Sequence, residues 1–326
     1  MNREPAQTAI QAIGLRKAFG ERVVLDGIDL DVPRGTVFSL LGPNGAGKTT
    51  AVRILSTLIP ADGGVVRVAG CDLARDPDGV RRAIGVTGQY SAVDGLLTGR
   101  ENLILMADLH HLGKTEGRRA ADELLERFDL VEAARTMVAT YSGGMRRRLD
   151  LAMTLIGAPR IIFLDEPTTG LDPRSRRTMW EIIRGLARNG VTIFLTTQYL
   201  EEADQLADKI AVLDGGRLVA EGTSDELKRL VSGGHVRLRF HDLAALDAAA
   251  RTLGAVTLGA VTRDDDALAL QVPSDGGVRS LRSLLGRLED ESIEVDELSV
   301  HTPDLDDVFL ALTGRPQPQR NEVTSV

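Results

Sequence analysis

Residues 37–50 read Val37-Phe-Ser-Leu-Leu-Gly-Pro-Asn-Gly-Ala-Gly-Lys-Thr-Thr50. A continuous apolar run, Val37 to Leu41, breaks into a glycine-rich loop, and Thr50 to Leu58 then repeats at helical period. Strand, loop and helix in that order are the context in which the pattern G-x-x-x-x-G-K-[ST] holds a chain of phosphates. The glycines let the backbone curl so that successive N–H groups point inward, and the helix that follows presents its positive end. Gly42, Pro43, Asn44, Gly45, Ala46, Gly47, Lys48, Thr49 and Thr50 are therefore the candidate phosphate cradle. Lys48 is placed to reach the β- and γ-phosphates, and the Thr49 hydroxyl to ligate Mg2+. A plain glycine-rich turn before a helix is the competing reading; spacing, context and the Lys-Thr pair together set it aside.

A second half-site lies at Ile161-Ile-Phe-Leu-Asp-Glu166, where an apolar strand ends in two adjacent carboxylates. Asp165 suits the inner or outer shell of a metal ion, and Glu166 suits the polarisation of a water molecule for attack on a γ-phosphate. Alone, Asp-Glu after a strand is usually a solvated strand end or a helix cap. Downstream of a phosphate loop it becomes a functional pair.

Working outward, Ala9 to Ile13, Arg22 to Leu25 and Gly27 to Val32 read as short strands with a turn at Phe19-Gly20, an opening antiparallel layer. Between Ser91 and Ile156 the pattern turns helical, at Arg100 to Leu112, Gly117 to Phe128 and Gly144 to Ile156. Ile161 to Leu164 and Val191 to Leu195 read as buried strands joined by a helix from Arg174 to Arg188, the alternation of a mainly parallel sheet. Ser232-Gly233-Gly234 reads as a hinge into a smaller α+β unit. That unit has strands at Val236 to Phe240, Ala267 to Val272 and Ile293 to Val300, and helices near Asp242 to Leu253, Gly277 to Leu288 and Leu305 to Leu312. The expected division is an α/β domain over residues 8–231 with a helical insertion at about 91–157, an accessory domain over 235–314, and a disordered tail over 315–326.

The chain has 326 residues, 43% of them hydrophobic and 26% charged, enough to bury real cores in about two domains. No apolar run reaches the roughly 20 residues that cross a bilayer, and none resembles a signal peptide behind the N-terminus. A single cysteine, Cys71, excludes internal disulfides and cysteine-clustered metal sites. His110, His111, His235, His241 and His301 show no metal-ligand spacing. A net charge of −8 disfavours non-specific attraction to nucleic acid, and no nucleic-acid partner is expected.

Tyr141-Ser-Gly-Gly-Met-Arg-Arg-Arg-Leu-Asp150, just upstream of the Asp-Glu strand, resembles the signature motif of ATP-binding-cassette (ABC) ATPases. An isolated Ser-Gly-Gly is more often a helix N-cap. The resemblance implies an α/β P-loop ABC ATPase domain, with a RecA-like core, an antiparallel β layer and a helical insertion, followed by the small α+β domain. It implies that ATP with Mg2+ is held between two copies of the chain, with Ser142, Gly143 and Gly144 facing the γ-phosphate bound by the other copy. Gln89, after the strand Ile84 to Thr87, matches the glutamine that touches metal and water and couples to a membrane subunit. Phe19 matches the aromatic that stacks on adenine, and Asp172, in Gly170-Leu-Asp172, matches the loop that crosses between the two sites. The family normally carries a γ-phosphate-contacting histidine where this chain has Gln198, a residue that donates a hydrogen bond but cannot become cationic. An ordinary surface glutamine is the alternative at that position.

Thr196-Thr-Gln-Tyr-Leu-Glu-Glu-Ala-Asp204, Val86-Thr-Gly-Gln-Tyr90 and Leu305-Asp-Asp-Val-Phe-Leu-Ala-Leu-Thr-Gly314 narrow the resemblance to the daunorubicin/doxorubicin-resistance ATP-binding proteins. A separate membrane permease, which binds the drug, and a place at the cytoplasmic face of the membrane are implied. Leu96, Leu97, Leu103, Ile104 and Met106 are the candidate docking residues, or else the insertion's own core. Leu305, Val308, Phe309 and Leu312 form a helical stripe that serves either a dimer or the chain's own interior. Two other functions stay open: a soluble ABC protein of DNA repair or translation, against which stand the single P-loop and the lack of a long arm, and a nucleotide switch with little hydrolysis, which Gln198 keeps in play.

Overall fold

The structure, a computed structural model, describes residues 8–89, 91–231, 234–254, 261–274 and 277–314. The chain divides into two units, the first ending at Ser224 and the second beginning at Asp225. This division falls before the Ser232–Gly234 boundary expected from sequence: paired glycines mark freedom in the chain, whereas the division follows which residues pack together. Ser232, Gly233, Tyr90 and the tail over 315–326 lie outside the described residues.

The first unit opens with β1 (Thr8–Phe19) and β2 (Arg22–Pro33), an antiparallel pair turned at Gly20-Glu21. The breaks expected at Gly14 and Asp26 are absent. Instead the register shifts between Ala12 and Leu15, and Gly14 and Gly27 have φ of 62° and 74°. Glycine at positive φ here marks a bulge inside a long strand, which bends the pair without ending it. After β3 (Val37–Leu41) and α1 (Lys48–Leu55), β4 (Gly63–Val68) and β5 (Cys71–Asp72) complete a sheet of order β2-β1-β4-β5.

A second sheet carries the site. It is built after α2 (Pro77–Ala83) from β6 (Ile84–Thr87); from β7 (Ile161–Asp165), which follows α3 (Gly99–Leu109), α4 (Lys114–Arg127) and α5 (Gly143–Thr154); and from β8 (Thr192–Thr197), which follows α6 (Pro173–Arg188). After α7 (Leu200–Leu206) come β9 (Lys209–Asp214) and β10 (Arg217–Gly222), giving the order β10-β9-β3-β8-β7-β6. All neighbours are parallel except β9 and β10. Every residue of β3, β7 and β8 is buried, which is why they read as mainly apolar runs without period-two polarity.

Period-two alternation nevertheless divides those strands between two cores. Phe38, Leu40, Phe163 and Phe194 face the antiparallel sheet and α1, with Phe38 stacked on Phe194 at 5.4 Å between ring centroids. Val37, Ile162, Leu164, Ile193 and Leu195 face the core formed with α3 to α6. Leu103 belongs wholly to that second core and Ile104 and Met106 pack partly against it, whereas Leu96 is 79% exposed. Of the docking set expected from sequence, Leu103 is therefore interior, Leu97, Ile104 and Met106 are half-buried, and Leu96 is exposed.

After α8 (Ser224–Lys228), the second unit contains β11 (His235–Arg239), α9 (Leu243–Gly254), β12 (Thr262–Asp264), β13 (Ala269–Pro273), α10 (Val278–Asp290), β14 (Glu297–His301) and α11 (Leu305–Thr313). Its antiparallel sheet has the order β12-β13-β11-β14, with Val236, Leu238, Leu246, Leu284 and Leu288 in its core. The strand expected from Ile293 begins only at Glu297, because Ile293 and Val295 pack onto this core from non-strand backbone. In α11, Leu305, Val308 and Phe309 are buried and Leu312 half-buried, so the stripe faces the chain's own interior.

Candidate functional site

The carboxyl ends of β3, β8 and β7 lie side by side, with Leu41 paired to Thr197 and Asp165 to Thr196. That register brings three loops together, the crevice at which α/β sheets bind ligands. The loop after β3 can be built only from glycine at two positions. A Cβ at Gly42 would strike the Leu213 carbonyl, and one at Gly47, where φ is 112°, would lie 2.8 Å from both Leu25 Cδ2 and Val24 O. The Gly42 N–H donates to Thr197 O at 3.2 Å, which fixes the start of the loop to the end of β8.

Lys48 at the start of α1 is 5% exposed. Its ammonium donates to Gly42 O at 2.8 Å and Pro43 O at 3.2 Å, and sits 3.6 Å from Glu166 Oε1. Burial pushes the Lys48 pKa below its ordinary value, while Glu166 and Asp165 oppose the shift. Asp165 Oδ1 accepts from Thr196 Oγ1 at 2.5 Å and from Thr49 Oγ1 at 3.3 Å. Glu166 adopts a left-handed backbone, φ 50°, unusual for a residue with a side chain. Its N–H donates to Thr196 O at 3.1 Å, and its Oε2 accepts from Thr169 Oγ1 at 3.3 Å. Lys48, Thr49, Asp165 and Glu166 thus form one cluster. Gln198 follows β8 directly, half-buried beside Thr197, which is tied to the loop.

The other expected residues stand apart from that cluster. Phe19 is 52% exposed at the end of β1, with Lys17 Nζ 5.4 Å from its ring centroid. Gln89 is exposed beyond β6. Ser142 and Gly143 are exposed at the start of α5, where Ser142 Oγ accepts from Met145 N–H at 3.2 Å. Asp172 caps α6: it accepts from Ser175 Oγ at 2.5 Å and from the Ser175 and Arg174 N–H groups at 3.0 Å, which hold its carboxyl below the usual range. A Cβ at Gly144 would lie 2.5 Å from Ser175 Oγ, so the starts of α5 and α6 are packed as one surface.

Sequence reasoning missed four buried polar residues around the cluster. Thr196 holds Asp165 and Glu166, but as part of the run Thr192–Thr197 it reads only as strand. Arg147 and Asp150 lie in the motif of residues 141–150, with no role foreseen for either. Glu202, 1% exposed, accepts from Thr168 Oγ1 at 2.7 Å and Trp180 Nε1 at 3.2 Å. Burial pushes its carboxyl well up. A carboxyl raised on folding contributes stability that is complete below its unfolded pKa and is lost as pH rises through the folded value. In thermal melts from pH 7.5 to 5.5, wild type should therefore gain Tm relative to Glu202→Gln as pH falls. A constant difference between the two proteins would show that Glu202 does not titrate on unfolding.

The chain matches the ABC transporter family model over residues 25–169. It is 51% identical over 306 residues to daunorubicin resistance ATP-binding protein DrrA2 of Streptomyces coeruleorubidus, covering 94% of this chain and 95% of the relative. It is 48% identical over 321 residues to daunorubicin/doxorubicin resistance ATP-binding protein DrrA of Streptomyces peucetius, covering 98% and 97%. Among solved structures, a dimeric ATP-binding cassette in a post-hydrolysis state with ADP and Pi superimposes with a TM-score of 0.60 at 26% identity, covering 66% of this chain and 98% of the other.

Proposed function

We propose that this chain, which belongs to the family of ABC transporter ATP-binding proteins, hydrolyses ATP between two copies of itself to drive export of an anthracycline-type drug. The drug would be bound and carried by a separate membrane permease. The observation that carries the site assignment is the cluster of buried Lys48 and Asp165 with half-buried Thr49 and Glu166 at the adjoining ends of β3, β7 and β8. The cargo rests on the names of the relatives, and the dimer on the post-hydrolysis cassette pair. No helix among the described residues is long and apolar enough to cross a membrane, in keeping with a subunit held at the cytoplasmic face by its permease.

The residues present fit the nucleotide. The loop of Gly42 to Gly47 leaves no room for side chains at its two ends, so backbone N–H groups can line a phosphate chain closely. Lys48, now resting on two loop carbonyls, has the reach and charge for a phosphate oxygen. Thr49 Oγ1 and Asp165 Oδ1, 3.3 Å apart, form the hard oxygen pair that suits Mg2+, with Gln89 as a further ligand. When bound, Mg2+ supplies neutralisation of charge on the phosphates. Glu166 polarises the attacking water, and Gln198 donates a hydrogen bond to the γ-phosphate. Phe19 stacks on adenine. The exposed Ser142–Gly143 turn and the adjoining Asp172 turn complete the opposite copy's site, which explains why they stand apart from the cluster in a single chain.

Docking to the permease falls to Gln89 and the exposed Leu96, Leu105 and Leu109, rather than to the interior Leu103. Co-expression with the permease in a drug-sensitive host tests the whole reading: export should require both subunits and stop in Glu166→Gln. Export by the permease alone would refute it. Gln198 tests the nucleotide-switch alternative. Gln198→Ala should lower kcat about tenfold, the loss of one hydrogen bond worth about 1.4 kcal/mol, with KM for ATP nearly unchanged. An unaltered kcat would make Gln198 a surface residue with no part in turnover.

A further inference from the structure

The middle arginine of Arg146-Arg147-Arg148 is 8% exposed, and its guanidinium is spent on four backbone carbonyls around the site and on one carboxylate. Its Nη2 donates to Asp165 O at 3.1 Å and Glu166 O at 3.3 Å, and its Nε to Pro167 O at 3.0 Å. Its Nη1 donates to Gly88 O at 2.6 Å, one residue before Gln89, and to Asp150 Oδ2 at 3.3 Å. Asp150 in turn accepts the Ala92 N–H at 3.1 Å, on the far side of Gln89. In extended backbone successive carbonyls point to opposite sides. Here three in a row converge on one cation, and the residue in the middle is Glu166 with its left-handed φ of 50°. Such backbone persists only where its surroundings fix it. On its N–H side Glu166 is fixed by Thr196, and on its carbonyl side by Arg147.

We propose that Arg147 is a positioning residue for ATP hydrolysis: from the signature helix it clamps the backbone turn that aims Glu166 and ties that turn to the segment bearing Gln89. A planar fork with donors on three nitrogens is what the carbonyl array demands, and a lysine's single ammonium cannot span it. Asp150 holds the fork in plane and carries the clamp across to Ala92. Through this pair, a movement of the signature helix in either direction would reach both Glu166 and the Gln89 segment without passing through nucleotide.

The inference rests on the reading of Glu166 as the water-polarising residue, and its test separates the two. In the full chain, Arg147→Lys keeps the charge beside Asp150 and loses the fork; Arg147→Gln with Asp150→Asn removes both buried charges together. Each should melt cooperatively and bind ATP within twofold of wild type, while kcat falls tenfold or more and KM stays level. Added to Glu166→Gln, Arg147→Lys should change the residual single-turnover rate by less than twofold, since both act at one point. Wild-type kcat in either variant, a parallel loss of ATP affinity, or a full multiplicative loss on top of Glu166→Gln would overturn the proposal. So would the loss of cooperative melting in both variants, which would make Arg147 a brace of the core. If Glu166→Gln itself turns over normally, the Glu166 reading falls and this one with it; if only Arg147→Lys turns over normally, this one falls alone.

Discussion

Glu166→Gln is expected to lower steady-state ATP turnover by about 10²–10⁴-fold, the contribution of a positioned general base, while leaving ATP binding intact. The substitution is nearly isosteric, so Thr169 and the backbone bonds to Thr196 O and Arg147 keep the side chain in place. What disappears is the carboxylate 3.6 Å from Lys48 and its ability to draw a proton from water. With hydrolysis stopped, the γ-phosphate contacts that close two copies would persist, and the protein should elute as a dimer in the presence of ATP and Mg2+ and as a monomer without them. Light scattering on the eluting peaks, with phosphate release measured on the same sample, checks both halves. Equal turnover in the two proteins would remove Glu166 as the water-polarising residue. A nucleotide-loaded, inactive variant that stays monomeric even with its permease would remove the shared site.

The parts of this site legible in the sequence are those whose chemistry is local. The loop from Gly42 to Lys48 carries its own explanation, because backbone curl, helix start and lysine follow one another without a break. Asp165 and Glu166 are legible once that loop is known. Residues 146–148 are the opposite case: three arginines in a row look like one solvated face, yet successive helix positions point in different directions. Arg146 bonds Val138 O and Ala139 O, Arg147 turns inward to the site, and Arg148 bonds Phe128 O and Asp129. No sequence pattern distinguishes them, since the deciding carbonyls come from residues 88 and 165–167. The strand end expected after Ile13 fails for a related reason: the sequence shows the freedom of Gly14 but not the neighbouring strands that turn it into a bulge. Ser142, Gly143 and Asp172 enter the proposed site only through resemblance, because within one chain Ser142 and Asp172 read as helix caps and Gly143 as the first residue of a helix.

Lys48→Ala should weaken ATP binding by about 10–100-fold, the worth of a charge-assisted hydrogen bond at roughly 1.5–3 kcal/mol. The structure shows why the loss falls on binding more than on folding. Lys48 donates to two carbonyls of its own loop, and the start of that loop is tied separately to β8 by the Gly42 N–H bond to Thr197 O, which does not involve it. The buried ammonium is also held below the ordinary lysine pKa, a direction that an arriving triphosphate reverses, so binding at alkaline pH should take up a proton. The affinity of wild type for ATP should accordingly fall as pH rises from 7 towards 9.5, and that slope should be shallower in Lys48→Ala. Fluorescent-nucleotide titration of the two proteins across this range measures both the offset and the slope. Equal affinities would detach Lys48 from the phosphates, and parallel slopes with a preserved offset would assign the pH dependence to another group.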